Sequence, residues 1–178
     1  MIKHTFFNGT LLLVIGLLTM LNGAEKEQKL VDYVDLQRFM GDWYVIANIP
    51  TRFELGAVNA VENYTWNVEK EIVDVTFKYR AGAVDGEVKQ MTQKGFIYDT
   101  TSNAEWRIQP IWPLKLGYLI LDLADDYSYT VIGVPSRNYL WIMAREAKLD
   151  DSIYQGILDR VKAQGYDLDK IQKVPQIW

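Results

Sequence analysis

Apolar and polar residues alternate most regularly over residues 72–80, IVDVTFKYR. The odd-numbered positions from Val73 to Tyr79 are apolar or aromatic, and the even-numbered positions from Asp74 to Arg80 are polar. A period of two is that of a β-strand with one face buried and the other in water. The pattern therefore predicts a strand that covers a core on one side.

Seven further segments are rich in β-branched and aromatic residues and are bounded by turn residues, as strands are. They are residues 43–49, 60–68, 89–99, 104–111, 117–124, 127–135 and 139–146. Together with residues 72–80 they make eight segments at a spacing of about ten residues, which predicts an all-β antiparallel sandwich or barrel.

The period changes at residues 149–165, where apolar residues recur at helical spacing. The residues on the predicted apolar face are Ile153, Ile157, Leu158 and Val161. Asp150 or Asp151 can cap the first turn, and Gly165 can adopt the left-handed conformation that ends a helix. A helix with one apolar stripe must bury it, so we expect this helix to pack outside the β body.

Residues 1–24 have the organisation of a secretory signal peptide. A basic start at Lys3 precedes a mostly apolar stretch from Phe6 to Leu21, and small residues then give way to charged ones. An uncleaved anchor is the alternative, although the stretch is short for a span of about 20 residues. We predict an exported protein with a single domain at residues 30–178.

The chain contains no cysteine, and its one histidine, His4, lies in the predicted leader. Disulfides, thiolate metal sites and a cysteine nucleophile are thereby excluded, and removal of the leader would exclude a Ser–His triad as well. The net charge of −4 offers no basic surface to nucleic acid. We expect no catalytic residues, no metal, no cofactor and no nucleic-acid partner.

Three short motifs are candidates for a structural role: Gly41-Asp42-Trp43, Asp126-Tyr127, which follows a tight turn, and Arg145. In a closed eight-stranded barrel the first and last strands are neighbours. Arg145, at the end of the eighth strand, could then lie beside Trp43, at the start of the first. A guanidinium over an indole face is a favourable cation–π contact, and we expect it to close one end of the barrel.

These motifs, in this order and approximate spacing, resemble the conserved regions of the lipocalin family. The segments FMGDWYVIANIPTRFE, GVPSRNYLWIMAR and GYDLDKIQKVPQ are similar to its branch of bacterial outer-membrane lipocalins and apolipoprotein D relatives. The resemblance covers about residues 32–175. It implies an eight-stranded antiparallel up-and-down barrel with one C-terminal α-helix packed outside. It also implies that the protein carries or stores a small hydrophobic ligand such as a fatty acid or a lysophospholipid.

Members of that branch often have a lipobox cysteine, and this chain has Ala24 after Leu21-Asn22-Gly23. Thioether lipidation at this position is therefore excluded. The expected location is the periplasm or the outer membrane of a bacterial envelope. Peripheral membrane association stays open, and so does the choice between a monomer and a homodimer.

Alternation within the predicted strands assigns side chains to the barrel lumen. The candidate lumen residues are Val45, Ala47, Tyr64, Trp66, Phe77, Tyr79, Trp106, Ile108 and Tyr118. A slip of one residue would turn each outward, so an exterior or packed-core position is the alternative for all of them. Arg52 and Phe53 lie in the loop over the predicted mouth, where Arg52 could meet a carboxylate or phosphate head group. Trp112 could contact lipid or a partner. Ordinary loop positions are the alternative for all three.

Two other functions remain open. An enzyme on the same barrel, of the isomerase or epoxide-processing type, would act on a hydrophobic substrate, but the missing Cys and His side chains argue against it. A carbohydrate-binding β-sandwich could use the same aromatic residues. It would explain neither the C-terminal helix nor the expected contact between Trp43 and Arg145.

Overall fold

A computed structural model of the protein describes residues 27–178, so the predicted signal peptide lies outside the described residues. The strands of the barrel are β1 (Gly41–Ile49), β2 (Ala57–Asn67), β3 (Ile72–Ala81), β4 (Val88–Ile97), β5 (Glu105–Ile111), β6 (Leu114–Leu123), β7 (Tyr129–Gly133) and β8 (Leu140–Ala144). A short helix α1 (Leu36–Phe39) precedes them, and α2 (Asp151–Ala163), a 3-10 turn (Leu168–Lys170) and β9 (Gln172–Lys173) follow. Each of the eight predicted strands is present.

Every strand of the barrel pairs antiparallel with its neighbour in sequence, and β1 pairs with both β2 and β8. The pairing of Tyr44 with Ala144 and of Ile49 with Leu140 closes the sheet on itself. The up-and-down barrel implied by the family resemblance is thereby confirmed. Because neighbouring strands run in opposite directions, the loops before β1, β3, β5 and β7 share one end, and the loops after these strands share the other.

Two apolar clusters lie on opposite faces of the sheet. The inner cluster lies inside the barrel and includes Trp43, Phe77 and Trp106. The outer cluster lies between the barrel wall and α2, where Ile157 and Val161 are buried. This confirms that the helix packs outside the barrel.

The close approach of the C-terminal segment to the wall requires Gly133. A Cβ at this position would clash with the hydroxyl of Tyr166 and would lie 2.6 Å from Cδ1 of Leu121. The Tyr166 ring therefore occupies the space that a larger residue at position 133 would take.

The predicted caps of α2 are confirmed, but its apolar face is shifted. Asp150 accepts the hydrogen bond from the Ser152 amide, and Gly165 has a φ of +90°. The residues that pack on the wall are Tyr154, Ile157, Leu158 and Val161. Ile153 is 37% exposed, because at 100° per residue it lies roughly 90° round the helix from the centre of that stripe.

The structure corrects the predicted lumen position of Ala47. In β1, Val45 pairs with Met143 and Ala47 pairs with Ile142, so Ile46 is an inserted residue. Such a bulge resets the alternation of the strand. Val45 stays in the inner cluster, whereas Ala47 belongs to the outer cluster beneath α2.

The C-terminal segment completes the barrel wall where β1 and β2 separate. These two strands pair only from Gly41 to Tyr44 on the β1 side, and β9 takes over as the partner of Ala47 and Asn48. The Gln176 amide donates to the carbonyl oxygens of Val45 and Ala60, both at 2.9 Å. Residues 172–177 therefore form a seam between the first two strands.

Candidate functional site

The closed end of the barrel is built around Trp43 and Arg145. The guanidinium carbon of Arg145 lies 3.7 Å from the centroid of the Trp43 ring. Its nitrogens donate to the carbonyl oxygens of Asp42 at 2.7 Å, Arg38 at 2.6 Å and Phe39 at 3.1 Å. The predicted cation–π contact is confirmed, and the same side chain also ties β8 to α1 and β1.

Helix α1 supplies the rest of this floor. Its Phe39 ring lies between 5.2 and 5.5 Å from the rings of Trp43, Tyr64 and Trp106. The Trp43 indole nitrogen donates to the Phe39 carbonyl at 2.8 Å. Gly41 then turns the chain into β1 with a φ of +95°, and a Cβ there would stand 3.4 Å from Arg145. The positive φ therefore requires glycine at this turn, whereas a Cβ would make only an ordinary contact with Arg145.

The Asp126-Tyr127 motif lies at the same closed end of the barrel. The Tyr127 hydroxyl accepts a 2.8 Å hydrogen bond from the amide of Asp35, the N-cap of α1. Arg38 lies 4.0 Å above the Tyr127 ring. The Asp126 carboxylate accepts hydrogen bonds from the side chain and the backbone amide of Ser128, and these bonds lower its pKa. All three motifs thus stabilise the closed end, away from the mouth of the barrel.

Most of the predicted lumen residues come together inside the barrel. The members of the inner cluster among them are Val45, Tyr64, Phe77, Tyr79, Trp106, Ile108 and Tyr118. Trp66 is partly buried and packs against this cluster. The rings of Trp106 and Tyr118 stack at 5.4 Å, as do those of Phe77 and Tyr79 at 5.1 Å. The interior is therefore rich in stacked aromatic side chains.

The lumen also holds residues that the sequence prediction missed. Met91 and Gln93 pair directly with the inward residues Phe77 and Val75, so they also face inward. Both remain partly exposed, and so does Trp141, which packs on the inner cluster. Inward side chains that keep contact with solvent indicate open space inside the barrel. The alternation of β4 could have identified Met91 and Gln93.

A buried carboxyl, Glu62, lies near the floor. It pairs across the sheet with Trp43 and Phe77, and its side chain accepts a short hydrogen bond from the Tyr64 hydroxyl. The hydroxyl oxygens of Tyr64 and Tyr118 are 2.6 Å apart. We call Glu62, Tyr64 and Tyr118 the basal polar cluster. Glu62 has the same parity in β2 as the predicted Tyr64 and Trp66, and that signal could have identified it.

The surroundings of the cluster shift its titration. Burial raises the pKa of Glu62 to about 7; the hydrogen bond from Tyr64 opposes this rise and the nearby Glu54 carboxylate adds to it. Burial, followed by the charge of Glu62, also raises the pKa of Tyr64 and of Tyr118. Both tyrosines therefore stay protonated at neutral pH, while Glu62 is divided between its two forms.

The mouth of the barrel carries the remaining predicted site residues. Arg52 is exposed in the loop after β1, and Phe53 beside it is 70% exposed. The Tyr79 hydroxyl donates to the Phe53 carbonyl at 2.7 Å, so the loop is attached to an inward residue. Trp112, between β5 and β6, is 82% exposed. The structure thus brings Arg52 and Phe53 to the lumen entrance, while Trp112 projects from the same end.

Exposed apolar side chains, Phe53 and Trp112 among them, surround this entrance. They lie in the loops and strand ends of the open end, and we call them the rim: Phe53, Leu55, Val84, Val88, Ile111, Trp112, Leu114, Leu116 and Tyr139. Below them, the Glu54 carboxylate accepts from the Trp141 indole at 2.8 Å and from the Thr51 amide at 2.6 Å. The entrance therefore combines an apolar margin with a hydrogen-bonded carboxylate.

Other features of the described chain do not suggest a competing site. Over residues 27–178, no group of His, Cys, Asp and Glu side chains is placed to hold a metal ion. No helix in the same range is long and apolar enough to cross a membrane. A groove of about 740 Å³ lies outside the barrel against the N-terminal segment, and it contains none of the predicted ligand-binding residues.

Comparison with known proteins agrees with this architecture. Residues 34–176 match the family model of the lipocalin-like domain. Temperature-induced lipocalin-1 of Arabidopsis thaliana is 30% identical over 163 residues, which cover 85% of this chain and 84% of that protein. Outer membrane lipoprotein Blc of Citrobacter freundii is 28% identical over 147 residues, covering 82% and 81%. The solved structure of lobster apocrustacyanin A1 has the same fold, with a TM-score of 0.65 at 16% identity over 81% of each chain.

Proposed function

The chain belongs to the lipocalin family, and from that premise we propose that its barrel binds a fatty acid or lysophospholipid and carries or stores it. One observation carries the proposal. The interior is an apolar and aromatic cluster that is closed at one end by Trp43 and Arg145 and keeps partly exposed inward residues towards the other. A concave, mainly apolar space with a few polar groups is what small-molecule sites require.

We propose that the acyl chain lies in the lumen and the head group at the mouth. Phe77, Tyr79, Met91 and Ile108 would contact the hydrocarbon, and the exposed Arg52 would face a carboxylate or phosphate. Leaving the charged head in water avoids the cost of burying an unpaired charge. Burial of the chain supplies the driving force, at about 0.8 kcal/mol for each CH₂ group removed from water.

The rim supports a peripheral contact with a lipid surface during loading. Exposed apolar patches on soluble proteins commonly mark interaction sites, and this one surrounds the lumen entrance. We propose that the protein works in the bacterial envelope, in the periplasm or at the outer membrane. This location is supported by the predicted export signal and by relatives named as outer membrane lipoproteins.

The alternative of an enzyme on the same barrel has one observation in its favour. A carboxyl with a pKa of about 7 is suited to general acid–base chemistry near neutral pH. Glu62 is however accompanied by tyrosine hydroxyls, whose raised pKa makes them poor nucleophiles. We therefore retain binding as the proposed function.

Calorimetric titration of the delipidated full chain with hexadecanoic acid and with a lysophospholipid tests the proposal. We expect saturable binding of one molecule per barrel. Met91→Trp, which would fill part of the lumen, should weaken binding at least tenfold. Thr92→Trp on the outward face of the same strand is the matched control and should leave binding unchanged. The proposal fails if no acyl lipid binds saturably, or if both variants bind as the unmodified chain does.

A further inference from the structure

The basal polar cluster lies where the end of an acyl chain would arrive, and a saturated chain has nothing to offer it. We propose that Glu62 recognises an oxygen atom at or near the far end of the ligand's hydrocarbon chain. The preferred ligand would then be an acyl lipid with a terminal or near-terminal hydroxyl group. This inference rests on the proposed function and names the ligand class more narrowly.

The direction of the hydrogen bonds leaves one hydrogen-bond acceptor of the cluster, an oxygen of Glu62, without a donor from the described residues. A tyrosine hydroxyl has one hydrogen to donate, and that of Tyr64 goes to Oε2 of Glu62. Tyr118, 2.6 Å from Tyr64, must therefore donate to the Tyr64 oxygen. Both hydroxyl hydrogens point towards the carboxyl, and the second carboxyl oxygen, Oε1, receives no hydrogen bond from the described residues.

That free oxygen keeps some accessible surface. Glu62 is 7% exposed. No fully enclosed side-chain nitrogen or oxygen of the described residues lacks a hydrogen-bond partner, so Oε1 cannot be fully enclosed. Its strand neighbours Trp43 and Phe77 are apolar inner-cluster residues. The residual exposure of the carboxyl is therefore directed to the lumen.

Among residues 27–178, no cation contributes to the pKa shift of this carboxyl. The charged or titratable groups that act on Glu62 are the hydroxyl of Tyr64 and the carboxylate of Glu54, and the charge of Glu62 in turn acts on Tyr118. From β1 and β3 it faces Trp43, Val45 and Phe77, which do not titrate. The ionised Glu62 would repel a negatively charged ligand head group. The head group is therefore expected at the mouth and not beside the basal polar cluster.

A hydroxyl group is the complement that fits both states of Glu62. It can accept a hydrogen bond from the protonated carboxyl and donate one to the ionised carboxylate. A methyl end packed on Oε1 would instead leave a buried polar atom unpaired, which costs about 1–3 kcal/mol. The same cost expressed as affinity is a factor of roughly 5 to 150.

Paired probes test this inference: hexadecanoic acid and ω-hydroxyhexadecanoic acid, titrated into the delipidated full chain. We expect the hydroxy acid to bind about tenfold more tightly. Glu62→Leu should reverse the preference, and Glu62→Gln, whose amide can donate and accept, should keep it. Thr65→Leu on the outward face of β2 is the matched control and should change neither affinity. Circular dichroism checks that each variant is folded.

A second measurement needs no variant. Because Glu62 lies at a fixed depth, the advantage of the terminal hydroxyl should peak at one chain length in a series from decanoic to octadecanoic acids. Equal affinities of the paired acids at every length, or the same preference in Glu62→Leu as in the unmodified chain, would overturn the inference and leave the proposed function standing. If no acid of either series binds, the proposed function fails too.

Discussion

The two ends of the barrel each present a tryptophan, and the two side chains have opposite surroundings. Trp43 at the closed end is fully buried, donates to the Phe39 carbonyl and lies beneath Arg145. Trp112 at the open end is 82% exposed. The same residue type therefore stabilises the fold at one end and remains available for an external contact at the other.

The hydrogen bonds explain the difference. At the closed end they join distant parts of the chain, since Arg145 bonds residues more than 100 positions away in α1 and β1. In the open-end loops the backbone bonds are mostly local, such as those from Glu54 to Thr51 and from Gly86 to Ala83. Contacts distant in sequence tie the elements together, whereas locally bonded loops can rearrange around an entering ligand.

The largest expected effect is on global stability. Trp43→Ala should lower the free energy of unfolding by about 3–5 kcal/mol, because it removes the largest side chain of the floor and leaves a cavity. Trp112→Ala should change it by less than about 0.5 kcal/mol, as exposed substitutions do. Urea unfolding monitored by circular dichroism measures both. Similar losses in the two variants would show that the ends do not differ in stability.

The second-largest expected effect is a pH dependence of stability that arises from a residue near the closed end. The pKa of Glu62 rises from 4.5 to about 7 in the folded protein, so the folded state holds more protons than the unfolded state in that interval. Stability should therefore fall by roughly 3 kcal/mol as the pH rises from about 5 to 8. Asp99, Asp126 and Asp150 have lowered pKa values, so their titration changes stability at more acidic pH.

Glu62→Gln should remove most of this dependence, because the amide does not titrate. Glu87→Gln in the exposed turn before β4 is the open-end control and should leave the dependence intact. Urea unfolding at pH 5 and pH 8 gives the comparison. A stability of the unmodified chain that is constant across this range would contradict a buried, titrating Glu62.

Two cation–π contacts should differ, by a smaller amount, in how much each contributes to stability. Arg145 over Trp43 and Lys115 over Phe96 have similar distances, 3.7 and 3.6 Å. Arg145→Met should cost about 2 kcal/mol, since it also removes hydrogen bonds to three carbonyl groups. Lys115→Met should cost about 0.5 kcal/mol or less, because Lys115 is exposed. Equal losses would mean that ring contact alone, and not the bonds to α1 and β1, decides the role of Arg145.

The sequence predicted the closed end better than the lumen for a physical reason. The floor depends on residue types that few others can replace: a glycine at positive φ, an indole and a guanidinium. Lumen positions depend on the phase of alternation, which the bulge at Ile46 resets and which misplaced Ala47. Glu62 was missed because apolar residues alone were assigned inward, although its parity in β2 matched that of Tyr64.

Short elements escaped prediction altogether. Helix α1 has four residues and β9 has two, and neither is long enough to show a period. Their positions come from contacts far apart in sequence, such as that of Tyr127 with Asp35 and those of Gln176 with Val45 and Ala60. Such contacts appear only once the barrel has closed.

The smallest expected effect concerns the rim and leaves stability unchanged. Trp112→Ser should weaken binding of the full chain to phosphatidylglycerol vesicles by about 1 kcal/mol, or roughly fivefold, because it removes one large apolar contact. Tyr98→Ser, a similarly exposed aromatic residue near the closed end, is the matched control. Vesicle co-sedimentation measures both. If Tyr98→Ser weakens binding as much as Trp112→Ser, the lipid surface does not distinguish the two ends, and the rim is not the contact face.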